Sequence, residues 1–334
     1  MQHQKIMPSQ TFTSTAIFHL VLLFSLAPQL SSQALKASKT TYRGWRDALV
    51  LSNGKVEAVI VPAVGRVMQF RFIGEDDVFW ENAALQGKSP NPSAQEWSNF
   101  GGDKTWPSPQ ADWAKMVGRG WPPPAMFDST PLQGNQKENA IELTSRVDSA
   151  YGIRTRRRIE LDPSMPVLKI TTTYEKDSGD VVRVGIGVIT QLRDPQRAFI
   201  AVPPKSKFPE GYVLLNFERP QDGKLKGGLF SLTRSHANKS QIGSDASTLL
   251  WMNEKHAIKI ESPRAIGAEY ANQGSSTVIY TNSDPDAYIE LETYGPLSVM
   301  KVGDKIEQTN TYRLYERGEK DPEAEARKIL GKDN

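Results

Sequence analysis

Four residues of one predicted strand pose the first chemical question. Across Ala287–Tyr294 a period of two sets Tyr288, Glu290, Glu292 and Tyr294 on one face and Ile289, Leu291 and Thr293 on the other. Carboxylates two residues apart along a strand lie about 7 Å from one another. That spacing suits an acid and a base, and their mutual repulsion lifts one pKa toward neutrality. A solvated outer face explains the same residues as simply, so the pattern alone leaves both readings open.

A second candidate lies upstream. Asn99–Asp128 reads NFGGDKTWPSPQADWAKMVGRGWPPPAMFD, combining paired glycines, Lys104, several prolines and Trp106, Trp113 and Trp121. Prolines stiffen such a segment. Flat indole faces suit stacking on the apolar face of a sugar ring, whose hydroxyls Asp103, Lys104 and Gln110 are suited to meet. The competing reading is an ordered loop whose tryptophans cap the end of a sandwich. In the strand predicted over Val181–Leu192, the residues Val182, Val184, Ile186, Val188 and Thr190 form a core face, opposite Arg183, Gly185, Gly187, Ile189 and Gln191. Glycines on that second face suit the close approach of a ligand or of a neighbouring segment. In the first case Arg183 and Gln191 line a groove floor. Ile153–Leu161 sets Arg154, Arg156 and Arg158 on one face with Arg157 opposite. That is a solvated edge strand kept from aggregating by its charge, or a ladder for acidic sugars.

Several chemistries drop out. Beyond the first 34 residues only His236 and His256 remain, at no ligand spacing, so no histidine-based metal centre is expected, and the sequence is silent on a metal held by carboxylates and carbonyls. His236 lies in the polar loop SHANKSQIG, where it could serve a site. Gly185-Ile186-Gly187 sits inside a strand without a third glycine or a following helix, and neither a phosphate-binding loop nor a Gly-x-Ser-x-Gly elbow occurs. No cofactor is implied. The chain has no cysteine, which removes disulfides and thiolate nucleophiles. Without Lys5, 40 basic residues face 38 acidic ones, which gives no electrostatic case for nucleic acid.

The N-terminus places the rest. Residues 1–34 read as a cleavable signal peptide: Lys5, an apolar run Ala16–Ala27, then Ser32-Gln33-Ala34 with small residues at −3 and −1. The run is short of the roughly 20 residues that span a bilayer, so the expectation is an exported, periplasmic or extracellular body, 35–334, without stable membrane insertion. That body is expected to be one all-β domain. Val-, Ile-, Thr- and aromatic-rich runs recur between turn residues from Ala48–Ser52 to Lys305–Glu316, and Asn53-Gly54 signals a type I′ hairpin that opens the body. The region Asn82–Asn139 shows no strand, and a long insertion of this kind in a β protein is usually functional. The one expected helix is terminal, with Asp321 as cap and Pro322 in its first turn.

Four motifs in order, GRVMQFRFIGEDDVFWEN (Gly65–Asn82), NFGGDKTWPSPQ (Asn99–Gln110), GVITQLRDP (Gly187–Pro195) and AYIELETYGPLSVMKVGDKIEQTNTYRLYE (Ala287–Glu316), resemble the galactose mutarotase-like superfamily, in an exported bacterial branch. The resemblance implies a β-supersandwich of antiparallel sheets with a short C-terminal helix, and a saccharide or glycan ligand on its concave face. It matches Leu291-Glu292-Thr293 to the strand whose glutamate takes the anomeric proton in aldose epimerases. The position of the family's histidine acid falls on Gln191, which donates a hydrogen bond but is no acid; His236 or a tyrosine is left for that role. The expected site is therefore Glu292, Gln191 and His236 for catalysis, with Asp103, Lys104, Trp106, Gln110, Trp121, Arg183 and Glu290 on the sugar. Two alternatives stay open: a lyase on acidic glycans, with Arg183 or Gln191 neutralising a uronate, and a binding protein without catalysis.

Overall fold

The computed structural model describes Met1 and residues 35–331. Apart from Met1, the expected signal peptide lies outside the described residues, as do residues 332–334. Two antiparallel sheets carry the chain. The first, of 11 strands, runs from one edge to the other through Lys36–Tyr42, Trp45–Ser52, Val56–Val61, Arg66–Phe72, Asp103–Ser108, Val182–Arg193, Tyr288–Tyr294, Thr277–Thr281, Ser240–Ser244 and Val213–Phe217, with Ser298–Met300 paired to one end of Val182–Arg193. The second, of 10 strands, runs Lys224–Lys226, Leu229–Leu232, Arg197–Ala201, Thr248–Met252, His256–Glu261, Lys305–Glu316, Val167–Lys176, Ile153–Leu161, Ala140–Val147 and Gln133–Lys137. Their alternating apolar residues meet between the sheets: Leu51, Ile60, Phe70, Ile289 and Leu291 from the first pack with Ile141, Ile159, Ile170, Leu249 and Ile258 from the second. The all-β supersandwich expected from the sequence is the architecture observed. The terminal helix is Pro322–Gly331, and the Asp321 carboxylate accepts from the Ala324 N–H at 2.9 Å.

Four local expectations change. The body opens with Lys36–Tyr42, a charged edge strand paired to Trp45–Ser52, ahead of the Asn53-Gly54 hairpin. That hairpin exists, but of the two turn residues only Gly54 takes a positive φ (+83°), and the Asn53 side chain instead accepts from the Lys55 and Val56 N–H groups at 3.0 Å. Ile153–Leu161 is an interior strand, and its outer arginines meet carboxylates, Arg154 with Asp177 and Arg156 with Glu142 and Glu175. The Asn82–Asn139 region contains two short helices, Trp113–Val117 and Ala125–Asp128, a strand in the middle of the first sheet, Asp103–Ser108, and the edge strand Gln133–Lys137 of the second.

That central strand carries a proline, which removes a ladder donor. The Pro107 carbonyl accepts from the Trp113 indole at 2.8 Å, so the backbone edge of Pro107 points away from Val182–Arg193. On that side Arg66–Phe72 pairs with the strand only at Val67↔Asp103, so no ladder bond is lost. Among the described residues no helix is long and apolar enough to cross a membrane.

Candidate functional site

Three neighbouring strands build one floor through register alone. Ile189 lies between Lys104 and Glu292, Gly187 between Trp106 and Tyr294, and Gln191 beside Glu290. Directly opposed residues share a sheet face, so Lys104, Trp106, Gln191, Glu290, Glu292 and Tyr294 all project away from the sandwich core. The next strands extend the rows, Tyr280 beside Glu290, Gln241 beside Tyr280 and Asn216 beside Gln241. Above this floor opens a cleft of about 950 Å³, whose lining includes Trp97, Trp106, Gln110, Trp121, Glu290 and Glu292. The two strand glycines are explained by neighbouring chain. A Cβ on Gly187 would lie 3.0 Å from the Tyr294 ring, and one on Gly185 3.0 Å from the Gly295 carbonyl.

The floor is an electrostatic cluster. Glu292, 3% exposed, accepts from the Tyr294 hydroxyl, and Gln241 is a further hydrogen-bond partner. Burial, reinforced by repulsion from Glu290, pushes its carboxyl up to about 8. Glu290 is also raised by burial, against the pull of Lys104, whose Nζ lies 3.7 Å away, and of the Gln191 amide, which donates at 2.9 Å. Burial in turn lowers the Lys104 ammonium to about 8, with Glu290 opposing that shift. Of the two carboxyls, Glu290 has the nearby cation and the amide donor, which favour its anion, whereas burial and the neighbouring Glu290 favour the protonated form of Glu292. The Tyr294 hydroxyl is held well above its usual range by burial and by Glu292, and remains a donor.

One wall is aromatic, and a buried aspartate sets it. Asp128 accepts from the indoles of Trp97 at 2.8 Å and Trp106 at 2.9 Å, and from Arg66 Nη2 at 2.8 Å. Both indoles flank the Lys104 ammonium, with ring centroids 5.8 and 5.0 Å from Nζ. Trp113 packs beneath, 1% exposed, whereas Trp121 stacks on it and leaves 47% of its surface open. On the opposite strands Phe217, 49% exposed, and Tyr280 form a second aromatic pair at 5.8 Å. Of the three tryptophans in the segment Asn99–Asp128, Trp113 is packing, while Trp106 and Trp121 line the cleft together with Trp97.

Of the residues singled out from sequence, Glu290, Glu292, Trp106, Trp121 and Gln110 line the cleft, and Lys104 and Gln191 contact Glu290 from beneath. Three are elsewhere. Asp103 projects into the sandwich, where Arg157, the Thr190 hydroxyl at 2.6 Å and the Tyr312 hydroxyl at 2.6 Å bind it, because it alternates with Lys104. Arg183 pairs with Glu269 at 2.5 Å at the far end of its strand, outside the cleft lining. His236, with its side chain 77% exposed, sits 3.1 Å from Asp284 and 3.2 Å from Arg234 Nη2, also outside that lining. Trp97, Tyr280, Gln241 and Phe217 went unnoticed in the sequence, as did Asp128 and Arg66 behind the wall. Tyr280 had a signal, since its strand alternates next to the carboxylate strand; the pairing of Asp128 with Arg66 had none. Among the described residues no group of three or more metal-ligating side chains is placed to hold an ion.

No protein-family model matches the sequence, and no curated protein matches it. Solved structures do share its fold. A putative aldose 1-epimerase from Escherichia coli K12 matches with a TM-score of 0.51 at 14% identity over 80% of this chain and 98% of that one. A putative mutarotase from Salmonella typhimurium matches at 0.53 and 12% over 85% and 97%, and a galactose mutarotase-like protein from Lactobacillus casei at 0.53 and 10% over 80% and 100%. With two layered antiparallel sheets and a floor strand carrying Leu291-Glu292-Thr293, the chain has the galactose mutarotase-like fold.

Proposed function

We propose that the protein binds a saccharide in the Glu292 cleft and interconverts its anomers by acid/base chemistry, with Glu290 as base and Glu292 as acid. The observation that carries this is the pair of buried carboxyls on one strand face, of which one is matched to Lys104 and Gln191 and the other, raised by burial, accepts from Tyr294. Glu290 removes the proton of the C1 hydroxyl as that oxygen's electrons form a carbonyl. The bond from C1 to the ring oxygen breaks, and Glu292 gives its proton to the ring oxygen. Rotation about C1–C2 and reclosure from the other face returns both protons. This inverts the role implied for Glu292 by the family resemblance, because its burial holds the proton that a base must lack. The Tyr294 hydroxyl stabilises the Glu292 carboxylate left behind.

Aromatic faces at Trp121, Trp97 and Phe217 and the carboxamides of Gln110, Asn216, Gln241 and Asn282 suit a neutral sugar. A lyase acting on uronates finds less support, because among the described residues no arginine lines the cleft and Lys104 is engaged by Glu290, which leaves the exposed Lys239 as the one lining cation to meet a carboxylate. The leader-like N-terminus supports an exported protein that meets such sugars outside the cytoplasm.

The test is anomer exchange of free aldoses, followed by NMR in the wild type, Glu292→Gln and Glu290→Gln. Each variant is expected to lose about 10²-fold or more in rate with binding retained, the scale of a general acid or base. An unchanged rate in Glu292→Gln removes it from the mechanism. Binding without exchange in the wild type leaves a glycan-binding protein, and no sugar bound at millimolar concentration refutes the saccharide reading.

A further inference from the structure

The floor of the Glu292 cleft continues past its last tyrosine. The strand pair that sets Gln191 beside Glu290 next sets Arg193 beside Tyr288. Arg193 therefore extends the same face by one step of about 7 Å. There a second cleft of about 480 Å³ opens, lined in part by Trp80, Arg193, Asn253 and Glu254. The two clefts share a wall: the Trp80 and Tyr288 rings lie 4.7 Å apart, Tyr288 lining the first and Trp80 the second. Asp286 lines the first cleft and Ala287, the next residue, the second.

Backbone pairing fixes this wall. The Trp80 N–H donates to the Gln191 carbonyl at 2.9 Å, and the Arg193 N–H to the Val78 carbonyl at 3.2 Å. Trp80 is half-buried, so part of its ring surface is open. Arg193 and Glu254 are exposed, and among the described residues neither side chain has a hydrogen bond or an ion pair. An aromatic face beside an uncommitted guanidinium and carboxylate is equipment for a further sugar ring, one face stacked and the hydroxyls bonded.

We propose that the second cleft is an outer subsite for the same glycan, so that the protein takes an oligosaccharide running from Glu292 across Tyr288 and Trp80 to Arg193. The proposal rests on the saccharide reading of the first cleft and adds a chain-length requirement to it. Calorimetry with glucose through cellohexaose and maltose through maltohexaose, on the full chain, tests it. In one of the two series affinity is expected to rise by about tenfold once the chain exceeds two or three units. Arg193→Ala and Trp80→Phe are expected to remove about fivefold of that gain, the worth of one stacked or bonded ring, and to leave glucose binding unchanged. Thermal melts of both variants check that they fold. Glucose binding with no gain on lengthening overturns the outer subsite and leaves the saccharide reading standing. Equal weakening of short and long chains by both variants also overturns it. Binding of none of these sugars overturns it together with that reading.

Discussion

Replacing Glu292 with glutamine isolates the proton on which the proposed chemistry depends. The amide keeps a carbonyl oxygen to accept from Tyr294 and has nothing to ionise. In the wild type the carboxyl is raised from 4.5 to about 8, chiefly by burial. Between those values the unfolded chain has released a proton that the folded chain retains, so wild-type stability falls as pH rises through this window and levels off above it. At about 1.4 kcal/mol per pH unit the interval sets a ceiling of about 5 kcal/mol on the effect. The stability of Glu292→Gln minus that of the wild type should therefore be smallest near pH 4.5 and climb by several kcal/mol up to pH 8. Glu290 and Lys104 are present in both proteins, so most of their own titration cancels in the difference. Urea unfolding of both proteins at half-unit intervals from pH 4 to 9 measures it. A difference that stays flat across the window, or that shrinks as pH rises, refutes the claim that Glu292 is the protonated member of the pair.

The same proton predicts that anomer exchange declines as pH rises through about 8, where Glu292 ceases to be an acid; a rate still climbing at pH 9 contradicts the assignment. Asp128→Asn leaves Arg66 buried without its carboxylate, and breaking such a pair costs about 3–5 kcal/mol. Chemical denaturation measures that loss, and a change in tryptophan fluorescence should accompany it because Trp97 and Trp106 share the same acceptor. Gly101→Ala forces a side chain onto a backbone at φ +90° and puts its Cβ 2.2 Å from the Trp80 carbonyl. A loss of about 2 kcal/mol or more in thermal unfolding is expected from that strain, and a variant as stable as the wild type contradicts the close approach.

Period-two alternation made most of this fold legible. It placed Tyr288, Glu290, Glu292 and Tyr294 on one face, and that face lines the cleft. It split Val182–Arg193 into a core face and a floor, with Val184, Ile186 and Val188 packed inward. It failed at Asp103–Ser108, where one aspartate, one lysine and one proline occupy a strand at the centre of a sheet. Those residues are tolerated there for reasons that lie elsewhere in the chain: Arg157, Thr190 and Tyr312 satisfy Asp103, Glu290 and two indoles accommodate Lys104, and Trp113 takes the Pro107 carbonyl. With that strand unseen, Asp103 and Lys104 read as two polar residues of one loop, whereas the pleat sends the first into the sandwich and the second to the site.

The same limit governs the chemistry. Local sequence shows that two carboxyls share a surface, but it cannot show which one meets a cation, because the choice is made by strands distant in the chain. Register sets Gln191 beside Glu290, and Lys104, whose own row leads through Ile189 to Glu292, reaches diagonally to within 3.7 Å of Glu290; Glu292 is left with a tyrosine two residues on and the Gln241 amide. One carboxyl is thereby stabilised as an anion and the other as an acid, although the two occupy equivalent positions in the alternation. An aldose ring opens only if a proton leaves one oxygen as another arrives at its neighbour, so unequal surroundings for like residues are what the reaction requires. On the proposed mechanism the Gln191 amide, at the position that the family resemblance gives to a histidine acid, favours negative charge on Glu290 and so favours the proton on Glu292.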